Sequence, residues 1–580
     1  MSDSKIQLLP DSLANQIAAG EVVQRPASVV KELLENAIDA GATRILLRIE
    51  DAGKTLILIQ DNGCGMEFHD ARMCFERHAT SKIKTTKDLF QIKTLGFRGE
   101  ALASIAAVAQ VELKTKQNES KIGTIVTIEG GTILKHEPFP TTEGSILSIR
   151  NLFFNVPARR NFLKSNTTEL KQIIAEFQRI ALSYPAVHFS LEIDTQTATD
   201  YFPTTLSGRI CQIYPWIKET DLLAVSESTP MLSISGYVGT PAIARKTRGE
   251  QFLFVNGRFV KDYSVNHAVT TAYRQTLPAE TLPVYVLNLT IDPAKTDINI
   301  HPTKSEIKFE DDRLVYGVVN SAVKKAIGQT LSLPDIADFQ LQRAITEVQN
   351  RDISENEPTI QSMYRSENTH KPESFAHLLD KLYKPIQENN SKSSLFSDSY
   401  KNTTFTPLFT PFWLVRQSDE LFLLQAEAAR ERVWYERYLA ALKGSQIASQ
   451  KLLYPQRLLL SPEQHIVLAE LIPTLAKIGF EIIPYNENSW LITALPFGLA
   501  FNEAESQLLS ILDSPDSVSI QYPKEQIALN FCRSHQTSAL TIEQITNLWS
   551  ELSRCQEKYV SPFGEVIQKK ISKQDVESWF

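Results

Sequence analysis

The chain has 580 residues, 42% of them hydrophobic and 22% charged, with a net charge of −7. That composition is ordinary for globular protein, and the length suits three or four domains. No run of about 18 apolar residues occurs, which excludes a typical membrane-spanning helix, and the start MSDSKIQLLP lacks a basic stretch followed by an apolar one, so no secretory leader is expected. Charge is uneven: residues 1–330 carry 37 Lys+Arg against 36 Asp+Glu, and residues 331–580 carry 23 against 31. A near-neutral first part can still hold a local basic groove, whereas an acidic second part is a poor general polyanion binder. Cys64, Cys74, Cys211, Cys532 and Cys555 are odd in number and scattered. They read as reduced thiols of a cytosolic protein rather than a disulfide framework.

The first strong element is a helix over 26–40. Pro26 suits a first helical turn, apolar periodicity runs to Ile38, and Gly41 is a stop signal. Glu32, Glu35, Asn36 and Asp39 then share one face, opposite Val30, Leu33, Leu34, Ala37 and Ile38. Such a face is either solvated or the wall of a site for a metal ion and an activated water. Two strands follow, TRILLRIE and KTLILIQ, joined by DAGK, with Ile45, Leu47 and Ile49 alternating. The second runs into D-N-G-C-G at 61–65. Ionised Asp61 is acceptor-only and can take a hydrogen bond from an exocyclic amine, and the glycines let a flat ligand approach. Asp-Asn-Gly is also an ordinary turn.

Further on, Gly96 and Gly99 bracket Phe97 and Arg98, and a small-residue helix begins at about Gly99. A glycine loop feeding a helix N-terminus is an anion site. No G-x-x-x-x-G-K-[ST] is present, so this is not a Walker-type loop. A softer break near 203–208 precedes the strand-rich segments LSISGYVGT, EQFLFVNGRFV, VYVLNLTI and DINIHP, with SVNHAVTTAYRQTL as an interleaved helix. That is a separate α+β domain to about 330. Residues about 335–402 are rich in Ser, Asn, Glu and Lys and poor in aliphatics, which predicts a mobile linker with one short helix at AHLLDKLYKPI. Apolar patterning returns from about 405.

Residues 13–43, LANQIAAGEVVQRPASVVKELLENAIDAGAT, with DNGCG at 61–65, RHATSKI at 77–83 and GFRGEAL at 96–102, closely resemble the MutL family of DNA mismatch repair proteins, ATPases of the GHKL superfamily. The match continues through FFNVPARR at 153–160, VNGR at 255–258 and IHPTK at 300–304. The resemblance implies an α+β multidomain chain. A GHKL (Bergerat) ATPase α/β sandwich would span 1–205 and a ribosomal-protein-S5-like α+β transducer domain 206–330. A flexible polar linker would span 331–404 and an α+β C-terminal dimerisation domain 405–580.

It also implies roles. ATP and Mg²⁺ are the cofactors. Glu32 resembles the general base, and Asn36, one turn on, the Mg²⁺ ligand. The i, i+4 spacing keeps both on one face, about 6 Å apart along the axis. Asp61 resembles the adenine-binding carboxylate, with Gly65 in its supporting turn. Thr80, Ser81, Lys82, Gly96, Arg98 and Gly99 resemble the lid over the phosphates. Ser145 replaces the family's threonine near the base, and Lys304 resembles the lysine that reaches the γ-phosphate. Asp39 is expected to buttress the helix end, and Glu35 to be either a solvated partner of Lys31 or part of the site. Residues 5–22 resemble a dimerisation arm. Arg159, Arg160, Lys164, Arg245, Lys246, Arg248, Arg258 and Lys261 are candidate contacts to DNA phosphates, without sequence reading.

Many relatives carry a metal-dependent endonuclease in the C-terminal part. Of its main motif, Glu431, Arg432, Tyr435 and Glu436 fit, but Gln425 and Glu427 stand where Asp and His are expected. F-C-R with Cys532 resembles a second motif, and Ser561 and Phe563 stand for the Cys and His of the last. A metal site needs several converging donors, so the expectation is a dimerisation domain without structural zinc or nuclease. The alternative is an ATP-regulated nicking endonuclease. Expected partners are a second copy, DNA, a mismatch-recognition protein of the MutS family and a downstream nuclease or helicase, in a cytoplasmic, nucleoid-associated protein with no membrane partner.

Overall fold

The computed structural model describes residues 19–82 (less 21), 95–96, 99–194, 196–245, 250–274, 276–278, 281–297, 307–331, 403–418, 420–445, 447–486, 489–513, 524–533 and 540–572. The expected linker, its short helix and most of the expected dimerisation arm lie outside these residues. The described residues form two compact units, one drawn from 1–331 and 427–566, the other from 332–426 and 567–580. Among the described residues no helix is long and apolar enough to cross a membrane, and all five cysteines are unpaired thiols.

Helix α1 (Pro26–Asp39) starts with proline in its first turn, as its sequence predicts, and buries Val29, Val30, Leu33, Leu34 and Ala37. It belongs to the core of an eight-stranded sheet. The strands are β1 (Arg44–Glu50), β2 (Leu56–Asp61), β3 (Gln110–Lys116), β4 (Gly123–Glu129), β5 (Thr132–Phe139), β6 (Gly144–Arg150), β7 (His188–Ile193) and β8 (Gln196–Tyr201). Their order is β5-β4-β3-β6-β2-β1-β7-β8. β1 and β2 pair antiparallel from Ile45↔Asp61 to Glu50↔Leu56, and Ile45, Leu47 and Ile49 are fully buried, as alternation requires. The β1–β7 pair is parallel.

Short helices α2 (Phe68–Met73), α3 (Ala101–Val108) and α4 (Pro157–Phe162) surround the sheet's loops. Helix α3 begins two residues after the expected Gly99. Helix α5 (Asn166–Ser183) is capped by Ser165 and buries Ile173, Ile174 and Phe177 in the same core as α1. Helix α6 (Leu206–Ile213) carries Arg209 wholly into the interior. Its guanidinium donates to the carbonyls of Ala181, Pro185, Val187 and Phe202 at 3.2, 3.0, 2.9 and 3.1 Å. One buried guanidinium thereby ties together four carbonyl oxygens, of which that of Pro185 also accepts from the Thr204 N–H at 3.0 Å.

The second sheet has the order β12-β11-β13-β10-β9. Its strands are β9 (Leu222–Ser228), β10 (Leu232–Gly239), β11 (Gln251–Val255), β12 (Arg258–Val260) and β13 (Tyr285–Ile291). Val265 and Val269 of α7 (Tyr263–Ala272) and Val319 and Val323 of α8 (Asp312–Leu331) pack with Leu253 and Leu287 of the strands. A two-stranded ribbon, β14 (Thr296–Asp297) and β15 (Lys308–Phe309), completes this part.

Residues 427–566 include a three-stranded sheet of β19 (Ser449–Leu459), β20 (Glu481–Asn486) and β21 (Ser489–Pro496). Helices α9 (Ala426–Lys443), α10 (Pro462–Lys477), α11 (Phe501–Asp513) and α12 (Lys524–Cys532) bury Tyr438, Leu468, Leu508 and Phe531 with Trp490, and α13 (Ile542–Leu552) follows. A reciprocal cap of Ser461 and Gln464 starts α10. The second unit is a four-stranded antiparallel sheet, β16 (Thr403–Phe409), β17 (Phe412–Gln417), β18 (Glu420–Gln425) and β22 (Gln568–Ile571).

Candidate nucleotide site

The polar face of α1 opens on a cavity rather than on the outer surface. Glu32, Glu35, Asn36 and Asp39 all line one cavity of about 1500 Å³. Glu35 is buried and pairs with Lys31 at 3.9 Å, so the reading of it as a solvated partner is corrected. Asp39 does more than close a helix. Its two oxygens accept from the backbone N–H groups of Leu95 and Gly96 at 2.9 and 3.0 Å. The Lys82 ammonium lies 2.6 Å from the same carboxylate and donates to Asn36 Oδ1 at 3.0 Å. Thr80 Oγ1 in turn accepts from the Lys82 backbone N–H. Thr80, Ser81, Lys82, Gly96 and Gly99 all line the cavity.

Asp61 ends β2 opposite Ser145 of β6. Cys64, Gly65 and Ser145 line the cavity, while the Asp61 side chain is buried behind them. Its Oδ1 accepts from Gly63 N–H at 2.8 Å. Burial pushes its pKa up to about 6, against the lowering effect of backbone hydrogen bonds from Gly63 and Ser145. Gly65 has φ +65°, and a Cβ there would stand 2.1 Å from the Lys116 carbonyl oxygen, so the turn beside Asp61 admits only glycine. The Ser145 hydroxyl lies 3.0 Å from Thr115 Oγ1, which donates to the Gly144 carbonyl.

The basic candidates divide. Arg160, Lys164 and Lys261 are exposed. Arg258 is not a free surface charge. It lines the cavity and its Nη2 donates to the Leu95 carbonyl at 2.9 Å. Arg159 is half-buried, with its guanidinium packed against Gly20. Arg245 is half-buried too and stacks over the Trp216 ring at 4.2 Å. Arg98, Lys246, Arg248 and Lys304 lie outside the described residues. The sequence reading missed Tyr184, whose hydroxyl is pushed up to about 12 by burial and by the nearby Asp39 and Glu35 carboxylates. A lone tyrosine after an amphipathic helix gives no signal of that placement.

In the C-terminal part, several residues of the nuclease-like motifs meet. Glu431 pairs with Arg533 at 3.4 Å, and the Arg533 guanidinium lies over the Phe563 ring at 3.5 Å. Burial and the Glu431 carboxylate push the Cys532 thiol up to about 12. Among the described residues no three His, Cys, Asp or Glu side chains come together as a metal site.

A mixed sheet covered by α1, with a buried carboxylate at a strand end beside a glycine turn, defines an ATPase of the class that the family profile "Histidine kinase-, DNA gyrase B-, and HSP90-like ATPase" describes, and that profile matches residues 24–140. "DNA mismatch repair protein, C-terminal domain" matches 211–328, and "MutL C terminal dimerisation domain" matches 407–535. The chain is 40% identical to the DNA mismatch repair protein MutL of Flavobacterium psychrophilum, over 100% of this chain and 99% of that one. It is 37% identical to that of Parabacteroides distasonis, over 100% of both. A crystal structure of the N-terminal domain of a DNA repair protein superposes with a TM-score of 0.48 at 23% identity, covering 55% of this chain and 100% of that one. The chain belongs to the MutL family of DNA mismatch repair proteins. It is a mismatch repair protein with an ATPase domain and a C-terminal dimerisation domain.

Proposed function

We propose that the cavity binds ATP with Mg²⁺ and hydrolyses it, and that the nucleotide state gates a dimeric clamp on DNA. The observation that carries this reading is that Glu32 and Asn36 open, one helical turn apart, on the same cavity as the Lys82 and Gly96 segments. Glu32 takes the proton of a water whose oxygen bonds to the γ-phosphorus, while the bond from that phosphorus to the bridging oxygen breaks, giving ADP and inorganic phosphate. Such chemistry asks for positioning and charge neutralisation more than for covalent intermediates. Asn36 Oδ1 suits Mg²⁺, an oxygen-seeking ion that neutralises phosphate charge. The ionised Asp61 carboxylate accepts from the adenine amine. The Gly99 backbone N–H, ahead of α3, faces phosphate oxygens, together with Thr80, Ser81 and Lys82, while Gly96 shapes the loop from its place on Asp39. The resemblance adds Arg98 and Lys304 as phosphate ligands and Ser145 as a hydroxyl near the base.

The domain boundaries proposed are 1–205 for the ATPase, 206–330 for the transducer, 331–404 for the linker and 405–580 for dimerisation. The protein pairs with a second copy, holds DNA through backbone contacts at Arg160, Lys164 and Lys261, and couples a MutS-family mismatch-recognition protein to a downstream nuclease or helicase in the cytoplasm, at the nucleoid. It has no nuclease of its own. That part is supported by the Arg533 guanidinium on Glu431, which already neutralises the carboxylate a metal would need.

The test is ATP turnover and nucleotide binding by the full chain and its Glu32→Ala variant. The variant should bind ATP and fail to turn it over. Unchanged turnover would remove Glu32 as the base.

A further inference from the structure

The turn that carries Arg258 is built as a fixed mount. β11 and β12 are joined by two residues, Asn256 and Gly257, with φ +50° and +81°. That is the type I′ hairpin geometry for which Asn-Gly is the preferred pair. The Asn256 side chain locks it to β13, donating to the Ile291 carbonyl at 2.9 Å and accepting from the Ile291 N–H at 3.1 Å. From the ATPase side, Ser183 Oγ donates to the Gly257 carbonyl at 2.8 Å. The Tyr184 hydroxyl lies 3.0 Å from where a Gly257 Cβ would stand.

Arg258 is the first residue after this turn, and its Nη2 meets the Leu95 carbonyl at 2.9 Å. Leu95 is also the residue whose N–H, with that of Gly96, is held by Asp39 of α1. The Leu95–Gly96 backbone is therefore gripped from both sides, by a carboxylate on its N–H groups and by a guanidinium on its carbonyl. One grip comes from helix α1 and the other from β12 of the second sheet.

We propose that Arg258 is a positioning residue of the ATPase, which acts through the Leu95–Gly96 backbone and Asp39, and not a contact to DNA phosphate. The proposal rests on the reading of the cavity as the ATP site. Charge-assisted hydrogen bonds on its carbonyl and on its N–H groups fix this segment, and the same Asp39 carboxylate also holds the Lys82 ammonium, which reaches Asn36 in the cavity. Small misplacements of such groups carry large rate penalties. Movement of the second sheet is in this way transmitted to the phosphate end of the cavity through one side chain.

The experiment uses the full chain as wild type, Glu32→Ala, Arg258→Ala, Arg258→Lys, Asp39→Asn and the double variant Asp39→Asn/Arg258→Ala. ATP turnover is followed across ATP concentrations, and affinity for a mixed-sequence DNA duplex is measured at one low salt concentration. Arg258→Ala should lose about tenfold to a hundredfold in kcat, with DNA affinity within about twofold of wild type. Arg258→Lys, which offers one donor without the planar fork, should fall between wild type and Arg258→Ala. The double variant should be no worse than its worse parent, because both residues hold the same backbone pair. Unchanged kcat and KM in Arg258→Ala overturn the proposal whatever happens to DNA binding, and so do multiplicative losses in the double variant. If Arg258→Ala does not fold, Arg258→Lys takes its place in the same cycle with Asp39→Asn. Wild-type turnover by Glu32→Ala strikes the ATP-site reading itself, independently of Arg258.

Discussion

Asp61 holds the Gly63 N–H at 2.8 Å, and its buried carboxylate also takes a backbone hydrogen bond from Ser145. Burial lifts its pKa from 3.8 to about 6, so the group is ionised near neutral pH but titrates in mild acid. A carboxylate that must accept from an adenine amine does so best when ionised. Affinity for ADP should therefore fall as pH drops through about 6, and isothermal titration at several pH values checks it. Retained affinity well below that pH would remove Asp61 as the adenine acceptor.

The same burial has a stability consequence with a definite sign. A carboxyl whose pKa is raised on folding contributes stability below its unfolded value, and that contribution is lost as pH rises through the folded value. At neutral pH the ionised Asp61 thus works against the fold. Asp61→Asn keeps the shape and an oxygen for Gly63, and should stabilise the nucleotide-free protein near pH 7 by roughly 2 kcal/mol. It should at the same time weaken ADP binding. Thermal unfolding beside a binding titration reads both, and a destabilised variant would contradict the argument.

Gly65→Ala should be costly for a reason unrelated to charge. The added Cβ meets the Lys116 carbonyl oxygen at 2.1 Å from a left-handed backbone. A loss of about 2 kcal/mol or more is expected, with nucleotide affinity falling along with it. Thermal unfolding with and without ADP measures this.

Arg209→Leu should destabilise by about 3 kcal/mol or more, because four carbonyls that now share one guanidinium lose it inside the protein. The effect should show in denaturant unfolding. Affinity for ADP in the molecules that remain folded should be unchanged, since Arg209 does not line the cavity.

Supercoiled plasmid incubated with the full chain and Mn²⁺, or Mn²⁺ with Zn²⁺, should stay uncut. Glu431, one of the two carboxylates of the nuclease-like motif that match, is occupied by Arg533. Nicking that disappears in Glu431→Lys would mean that the pair opens to admit a metal.

Local periodicity carried much of the fold. Three- and four-residue spacing placed Glu32, Glu35, Asn36 and Asp39 on one face, and alternation placed Ile45, Leu47 and Ile49 inward, because both patterns are set by backbone geometry. The partners of those side chains were not legible. Asp39 meets a backbone 56 residues further on, and Arg258 meets one 163 residues earlier. No spacing rule reaches that far. Arg258 was read as a candidate contact to DNA phosphate because an arginine beside a glycine turn has the same sequence whether it faces solvent or a cavity. Likewise Glu35 looked solvated because its burial depends on what packs over α1, which the helix pattern alone does not contain.

On the proposed ATP reading, the Lys82 ammonium, seated between Asp39 and Asn36, would give the loading of this cavity the character of an exchange. The amide oxygen of Asn36 already serves a tethered monovalent cation, so an arriving divalent ion gains only the difference between itself and that resident. An ion no better than an ammonium gains nothing there, which is a form of selection that operates before any phosphate is bound. The displaced lysine, still anchored by its own backbone, would then be released beside the incoming polyanion that needs a counter-charge.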